Sequence, residues 1–400
     1  MSKVLAVNAG SSSLKFTLYE MPQAEVLTTG IVERIGFEDA IFTIRVNGDK
    51  VTKVLPIKDH AVAVHLLIEG IIEHQIIKDL SEIEALGHRV VHGGELFKES
   101  TLFTEEVYER LQAELVALGP LHMPPNLLGY RSFKDALPEA CHTAIFDTAF
   151  HQTMEEEYFL YPFPYEFYTE HKVRRYGFHG TSHLFVSQRA AELMNKEKED
   201  VNIITLHLGS GASIAAVQGG KVVNTSMGFT PLAGIMMGTR TGDFDPSIIP
   251  YMVDRLGVSV HEFIDVICNK KSGLLGVSGI SSDARDIQDG VDRGDHRAIL
   301  AQKLFANRVA AYVGEYFVQM GRVDSLVFTG GIGENDVVIR ELILERVKEA
   351  LQITYDSALN ASVRSKETKL SLADSKVDVW LVPTDEEIVL AKDAYANLIS

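Results

Sequence analysis

One pattern occurs twice in this chain and restricts its architecture more than any other feature. From Val4 to Tyr19 an apolar strand-length run, Val4–Val7, enters the turn Asn8–Ser13 and leaves through a second run containing Phe16 and Leu18. β-Branched and aromatic residues on both sides of a Gly/Ser turn suit two strands. Residues 203–217 repeat the scheme, with Gly209-Ser210 in register with Gly10-Ser11 and His207 with Asn8. Such self-similarity predicts two related halves.

The turns suggest chemistry. A tight turn of glycine and hydroxyl residues presents N–H and O–H donors inward, and Lys15 adds a nearby positive charge, so the first turn suits an anion such as phosphate. An ordinary Ser-rich hairpin is the other reading. No Gly-x-x-x-x-Gly-Lys-Ser/Thr occurs, and a strand is predicted after the turn, which excludes a P-loop. A third glycine turn, Thr329–Asn335, follows the strand-like Ser325–Phe328 and precedes a helical pattern. Glycine there lets a ligand approach the backbone.

A chain of 400 residues predicts two or three domains. A formal net charge of −17 argues against broad binding to nucleic acid or to an anionic membrane. A local arginine cluster can still hold an anionic substrate. Two cysteines, Cys141 and Cys268, imply neither a disulfide framework nor a zinc cluster. With no signal peptide and no membrane-length apolar run, a cytoplasmic location is expected.

Residues 3–57 read as a β-meander. Ala61–Asp79, Glu105–Leu118 and Asn126–Ala136 read as helices, and Ala85–Val91 and Ala144–Asp147 as buried strands. The second half begins near residue 150. It has a β-rich start (202–227), helices at 246–268 and 295–320, a strand at 325–328, a last strand Asp378–Pro383 and a terminal helix Glu386–Ile399.

Four segments combine Gly, Arg, His and Asp. Gly87–Gly94 places Arg89 after a buried strand, where its fork of donors suits a carboxylate or phosphate; a structural salt bridge is the alternative. Phe146–His151 ends a strand on Asp147, a common place for a metal-facing carboxylate, or equally for a cap or turn. In Arg174–His183, His179 and His183 are four apart. A metal pair is disfavoured because Thr181 or Ser182 reads as an N-cap, putting His179 ahead of the helix. A Ser-His hydrolase lacks its nucleophile elbow. Gly238–Pro246 brackets Arg240 with glycines, and Asp245-Pro246 reads as a helix start; a loop-stabilising ion pair is the other reading of Arg240. Phosphate turns, two such arginines and strand-end carboxylates are the parts phosphoryl transfer needs.

As a set, Asn8–Lys15, Gly87–Gly94, Phe178–Gly180, His207–Gly211, Gly238–Asp245, Gly330–Asn335 and Pro383–Glu387 closely resemble the motifs of the acetate kinase family, in order and over essentially the whole chain. The resemblance implies an α/β fold of two ribonuclease-H-like (actin-like ATPase) domains, duplicated, with a nucleotide cleft between them. Residues 1–149, with the helix 386–400 returning to them, would form one domain, and 150–385 the nucleotide-binding other. It implies Mg²⁺-dependent, reversible transfer of the ATP γ-phosphoryl group to acetate, giving acetyl phosphate and ADP, in a homodimer (with Mn²⁺ as a substitute metal).

By the same resemblance, Arg89 and Arg240 hold acetate and the transferring group, and His179 donates to an equatorial oxygen with His122 nearby. Asn8 contacts the phosphoryl group beside an Mg²⁺ served by Asp147 and Glu386. Ser11, Ser13 and Lys15 support the first turn; His207, Gly209, Ser210 and Gly211 form the second. Val91, Leu121, Phe178 and Pro231 form the pocket for the acetate methyl. Asp283, Arg285, Gly331 and Ile332 border the adenosine, with Gly330, Gly333 and Asn335 in the same turn. One departure stands out: Ser210 occupies a position where the family usually has Asn. A propionate or butyrate kinase of the same family is the near alternative, although Val91 fills space and favours acetate. A non-catalytic nucleotide-gated protein would not need two arginines and a histidine aimed at a second small substrate. Room for adenosine at Gly330–Ile332 argues against a pyrophosphate-using kinase.

Overall fold

The computed structural model describes residues 1–400. The chain forms two compact units, Met1–Ala149 with Asp385–Ser400, and Phe150–Thr384.

The first unit is built on an eight-stranded sheet. Its strands are β1 (Ser2–Ala9), β2 (Ser13–Met21), β3 (Glu25–Glu33), β4 (Ala40–Val46), β5 (Asp49–Leu55), β6 (Ile83–Val90), β7 (Thr101–Leu102) and β8 (Cys141–Phe146), in the order β5-β4-β3-β2-β1-β6-β8-β7. β1–β5 form an antiparallel meander, whereas β6 lies parallel to β1 and β8 parallel to β6. Val4–Val7 is a continuous apolar run because both sheet faces are covered. On one face Val64, Leu67 and Ile71 of the His60–Glu73 helix and Phe133 of the Met123–Ala136 helix join Leu5, Phe16 and Phe42 in a core. Burying each such side chain contributes about 1.5–3 kcal/mol. The terminal helix Glu386–Ile399 packs on β1, β6 and β8. It comes so close that a Cβ on Gly87 of β6 would lie 2.3 Å from the Leu390 carbonyl oxygen, so only glycine fits there.

The second unit has β9 (Asn202–Leu208), β10 (Ala212–Gln218), β11 (Lys221–Thr225), β12 (Ser325–Thr329), β13 (Thr368–Lys369) and β14 (Asp378–Leu381), in the order β11-β10-β9-β12-β14-β13. Again the first three strands are antiparallel neighbours, and β12 and β14 follow β9 in parallel. The two hairpins correspond, although the second turn is one residue shorter: Asn8 pairs with Lys15 across the first and His207 with Ser213 across the second. The helix Gly180–Leu193 covers one face through Val186, Ala190 and Ala191, against Ile203 and Val327. No helix is long and apolar enough to cross a membrane.

Several boundaries differ from the sequence reading. The helix expected over 61–79 stops at Glu73, because Gln75 turns left-handed (φ 56°) and the Ile76 amide bonds back to the Ile71 carbonyl at 3.0 Å. The Glu105–Leu118 stretch passes from α-helix through a π turn into a 3₁₀ turn. Asp245 does not start a helix. Its carboxylate accepts the Ser247 amide at 2.9 Å, and the helix begins at Ile248. The Gly330–Asn335 turn is itself a short helix. Neither Thr181 nor Ser182 is an N-cap. The helix begins at Gly180 with His179 in the cap position at φ 58°, because the Ser182 hydroxyl is engaged elsewhere, by His207 Nδ1 at 2.7 Å and Thr384 Oγ1 at 2.8 Å.

Candidate active site

In the first unit the parallel strands deliver their polar residues at one edge. Asn8 and Arg89 each lie one residue before the end of their strands, β1 and β6, and Asp147 follows β8. Parallel strands terminate side by side, which is why α/β folds gather chemistry at their carboxyl ends. Arg89 meets Asp147 fork to fork: Nε donates to Oδ1 at 2.9 Å and Nη2 to Oδ2 at 2.5 Å, while Nη1 donates to Asn8 Oδ1 at 3.3 Å. Asp147 is fully buried. Burial alone would lower the Arg89 pKa, but Asp147, Glu386 and Glu387 outweigh it and raise it, so the guanidinium is a permanent cation. Glu386 and Glu387 open the terminal helix, and Glu387 pairs with Lys15. In the first turn, the Gly10 amide bonds to the Ser13 carbonyl at 2.8 Å, and Ser11 is exposed.

Val91 is buried, and Asn126 ties its segment to β1 by accepting the Val91 amide at 2.9 Å and donating to the Ala9 carbonyl at 2.6 Å. Leu121 is 60% exposed in the turn before the Met123–Ala136 helix. His122 is exposed in the same turn.

In the second unit, polar groups converge on the Gly209–Gly211 turn. A Cβ placed on Gly211 would lie 3.6 Å from both Arg240 Nη1 and His179 Nε2. His179 stacks on His207 with ring centroids 4.2 Å apart. Arg240 has no carboxylate partner. Its Nη1 donates to the Pro231 carbonyl at 3.3 Å and approaches Met237 Sδ at 3.7 Å, and burial lowers its pKa. A half-buried cation held by a carbonyl and a thioether is electrostatically incomplete, and an anion completes it. Phe178 is buried, and its carbonyl accepts Nε2–H of His151 at 2.9 Å.

Beside this cluster lies a cavity of about 790 Å³, lined by Gly209, Ser210, Asp283, Arg285, Gly331, Ile332 and Asn335 among others. All seven are residues the sequence singled out. Arg285 hydrogen-bonds Asp283 and holds its carboxyl down to about 2. Asn335 donates to the Gly331 carbonyl at 3.0 Å.

The family model "Acetokinase family" matches residues 3–392. The chain belongs to the acetokinase family. The acetate kinase of Geobacillus kaustophilus is 54% identical over 400 residues, covering 100% of both chains. Among solved structures, Porphyromonas gingivalis acetate kinase superposes with a TM-score of 0.93 at 44% identity, covering 100% of each chain. A propionate kinase from Francisella tularensis reaches the same TM-score, 0.93, at 40% identity, covering 99% of this chain and 100% of its own.

For an acetokinase, some of the supporting residues carry no motif. Glu334 accepts the amides of Gly330 at 3.0 Å and Thr384 at 3.2 Å, pinning the glycine helix. Arg340, fully buried, fastens the far end of that helix through the Gly333 and Glu334 carbonyls, both at 3.0 Å. Gln288, Asp289 and Arg364 line the cavity from elements distant in sequence. Ser213 could have been found from the hairpin register, since it faces His207 across the second turn.

No group of three or more His, Cys, Asp and Glu side chains is placed to hold a metal ion. Mg²⁺ does not need one. It is usually held by one or two carboxylates together with substrate phosphates and water; in the first unit Asn8 carries an amide oxygen and Glu386 a carboxylate.

Proposed function

We propose that this chain catalyses reversible transfer of the ATP γ-phosphoryl group to acetate, giving acetyl phosphate and ADP, on two ribonuclease-H-like halves related by duplication. The observation that carries the reading is Arg240: a half-buried guanidinium with no carboxylate partner, sharing the space over Gly211 with His179, beside a cavity of about 790 Å³. The cavity takes the adenosine, and the Gly209–Gly211 turn takes the phosphates. Arg240 and His179 stabilise charge on the equatorial oxygens. Arg89, held by Asp147, presents a fixed positive charge to the acetate carboxylate and the incoming phosphoryl group. When bound, Mg²⁺ on Asn8 and Glu386 would supply charge neutralisation that lowers the repulsion between acetate and ATP.

The transfer is direct. An acetate oxygen attacks the γ-phosphorus in line, the new O–P bond forms as the bond to the β-γ bridging oxygen breaks, and ADP leaves with the electron pair. Inversion at a chirally labelled γ-phosphorus is expected. Retention, with a phosphoenzyme formed at a competent rate without acetate, would overturn it.

Contact with the acetate methyl is assigned to Val91, Leu121, Phe178 and Pro231. The likeness to a propionate kinase favours testing that acid directly. The decisive assay traps acyl phosphate as hydroxamate from acetate, propionate and butyrate and compares kcat/KM. Acetate should lead propionate by about tenfold, since one methylene in an apolar pocket is worth about 1–3 kcal/mol. A lead for propionate reassigns the substrate, and no acyl phosphate from any acid removes the reading. A homodimer is the expected assembly, and an ATP-dependent reaction on a small carboxylate fits the cytoplasm.

A further inference from the structure

The helix His60–Glu73 is capped by Asp59, whose carboxylate accepts the Val62 amide at 3.0 Å. The side chain of His60, its first residue, serves another element. Its Nε2 lies 2.7 Å from the Gly10 carbonyl oxygen in the first turn, and the residue is buried. A carbonyl oxygen only accepts, so Nε2 carries a proton and donates it.

This bond is one of three that hold carbonyls of the turn from outside it. Asn126 Nδ2 donates to the Ala9 carbonyl at 2.6 Å, His60 to that of Gly10, and the Ile35 amide to that of Ser12 at 2.9 Å. Each carbonyl shares a planar peptide with the amide that follows it, and in a trans peptide the two point in opposite directions. The peptide bonds of this turn are all trans. Anchoring a carbonyl therefore aims the next amide. The Gly10 amide, which follows the Ala9 carbonyl, is used by the Ser13 carbonyl at 2.8 Å, and Ser13 already lies in β2, paired with Glu33. The Ser11 amide, which follows the Gly10 carbonyl, has no acceptor within the chain, and Ser11 is exposed. It points away from His60, in the turn that leaves β1 at the edge where Asn8 and Arg89 lie.

We infer that His60 is a positioning residue: by holding the Gly10 carbonyl it aims the Ser11 amide at the phosphoryl group that passes between ATP and acetate. The inference rests on the function proposed above. Gly10 is the reason a restraint is needed. Without a Cβ it moves readily between backbone conformations. An unheld Gly10–Ser11 peptide is free to turn its carbonyl, a partial negative charge, toward the phosphoryl oxygens in place of its N–H. Donation from the buried His60 ring opposes that turn. Ser11 then acts through its main chain, so its amide touches the substrate and His60 does not.

The transferred group belongs to ATP in one direction and to acetyl phosphate in the other, whereas acetate and ADP lack it. Steady-state rates of the full chain in both directions, with circular dichroism to report folding, therefore test the role. His60→Leu removes the donor. Its kcat/KM for ATP and for acetyl phosphate should each fall about tenfold, the scale of one hydrogen bond to a charged group, while KM for acetate and for ADP stay within about twofold. His60→Gln keeps an N–H donor and should recover kcat/KM for ATP to within about threefold of wild type. Ser11→Pro deletes the amide itself and should cost about tenfold or more. In that background His60→Leu should cost less than about twofold further. If His60→Leu does not fold, Ser11→Pro decides, since residue 11 is exposed. A wild-type kcat/KM for ATP in folded His60→Leu or in Ser11→Pro overturns the inference. So does a His60→Gln no better than His60→Leu, or a His60→Leu in which KM for acetate and ADP rises as much as kcat/KM for ATP falls. Those outcomes leave the proposed function standing. A wild type that forms no acyl phosphate from any acid overturns that function, and the inference with it.

Discussion

The carbonyl of Ser210 accepts the backbone amide of Gly238 at 3.0 Å. That bond joins the Gly209–Gly211 turn to the loop that carries Arg240, and it uses the main chain of Ser210, not its hydroxyl. The side chain is left exposed on the wall of the 790 Å³ cavity. Ser210→Asn should therefore keep the turn and extend a donor further into the cavity. The KM for ATP is expected to fall about threefold, within the roughly 0.5–1.5 kcal/mol of one net hydrogen bond, with kcat unchanged within about twofold. Steady-state kinetics at saturating acetate check this, and a KM that stays put or rises would show that residue 210 does not reach the nucleotide.

The two arginines should separate in a stability measurement. Arg89→Ala removes the fork-to-fork partner of the buried Asp147 carboxylate, and breaking such a pair costs about 3 kcal/mol. Arg240→Ala strands no carboxylate, so stability should hold within about 1 kcal/mol while kcat falls about 10²–10³-fold. Urea unfolding and initial rates on both variants give the comparison. Equal stability of the two, or kcat within about threefold of wild type for Arg240→Ala, would contradict the roles assigned here.

Gly273 supports Arg240 from behind. It sits at φ 62°, and a Cβ there would lie 2.1 Å from the Met237 carbonyl oxygen and 2.9 Å from that of Arg240. The amides of Ser272, Leu274 and Leu275 bond to the carbonyls of Thr239, Met237 and Gly238, all at 2.9 Å, so the Arg240 loop is laid down on this segment. Gly273→Ala should push the loop away. Loss of about 1–3 kcal/mol of stability is expected from backbone strain, with kcat reduced about tenfold or more, since small misplacements of a positioned group are costly. A crystal structure or rate indistinguishable from wild type would refute it.

Acid should unfold the protein earlier than its carboxylates alone would. Burial lowers the pKa of His92, His142 and His151 to about 4, and those of His88 and His183 fall well below the ordinary value. His88 and His142 show why neutrality is built in: one ring nitrogen of His142 donates to the Leu137 carbonyl at 3.0 Å and the other accepts from His88 Nε2 at 2.9 Å. The unfolded chain binds protons at these side chains below about pH 6.5, and the folded chain does not. Stability is therefore complete above about pH 6.5 and is lost as the pH falls toward 4. Each histidine contributes up to about 1.4 kcal/mol per pH unit in that window. Denaturant midpoints at pH 7.5 and 5.5 should differ markedly, and His142→Gln should reduce the difference. A midpoint that is flat over this range would mean that these rings are protonated in the native state.

The sequence by itself determined the α/β class, the paired hairpins, the family, and part of the cavity lining, including Gly209, Ser210, Asp283 and Gly331. These are local properties: glycine and serine in a turn, apolar runs of strand length, and motifs read in order. It did not determine the partners of charged side chains. Whether Arg89 or Arg240 formed an ion pair stood open from spacing alone, and only the tertiary structure paired Arg89 with Asp147 and left Arg240 without a carboxylate. Helix starts were misread where a hydroxyl that looks like a cap is drawn into a long-range bond, as Ser182 is by His207 and Thr384. Ser213, His183 and Thr205 come from two strands and a helix, yet their side chains form one hydrogen-bonded run, and no spacing rule connects them. Hydrogen-bond order is decided by which groups packing brings together and by what each can donate, and that information exists only in the folded chain.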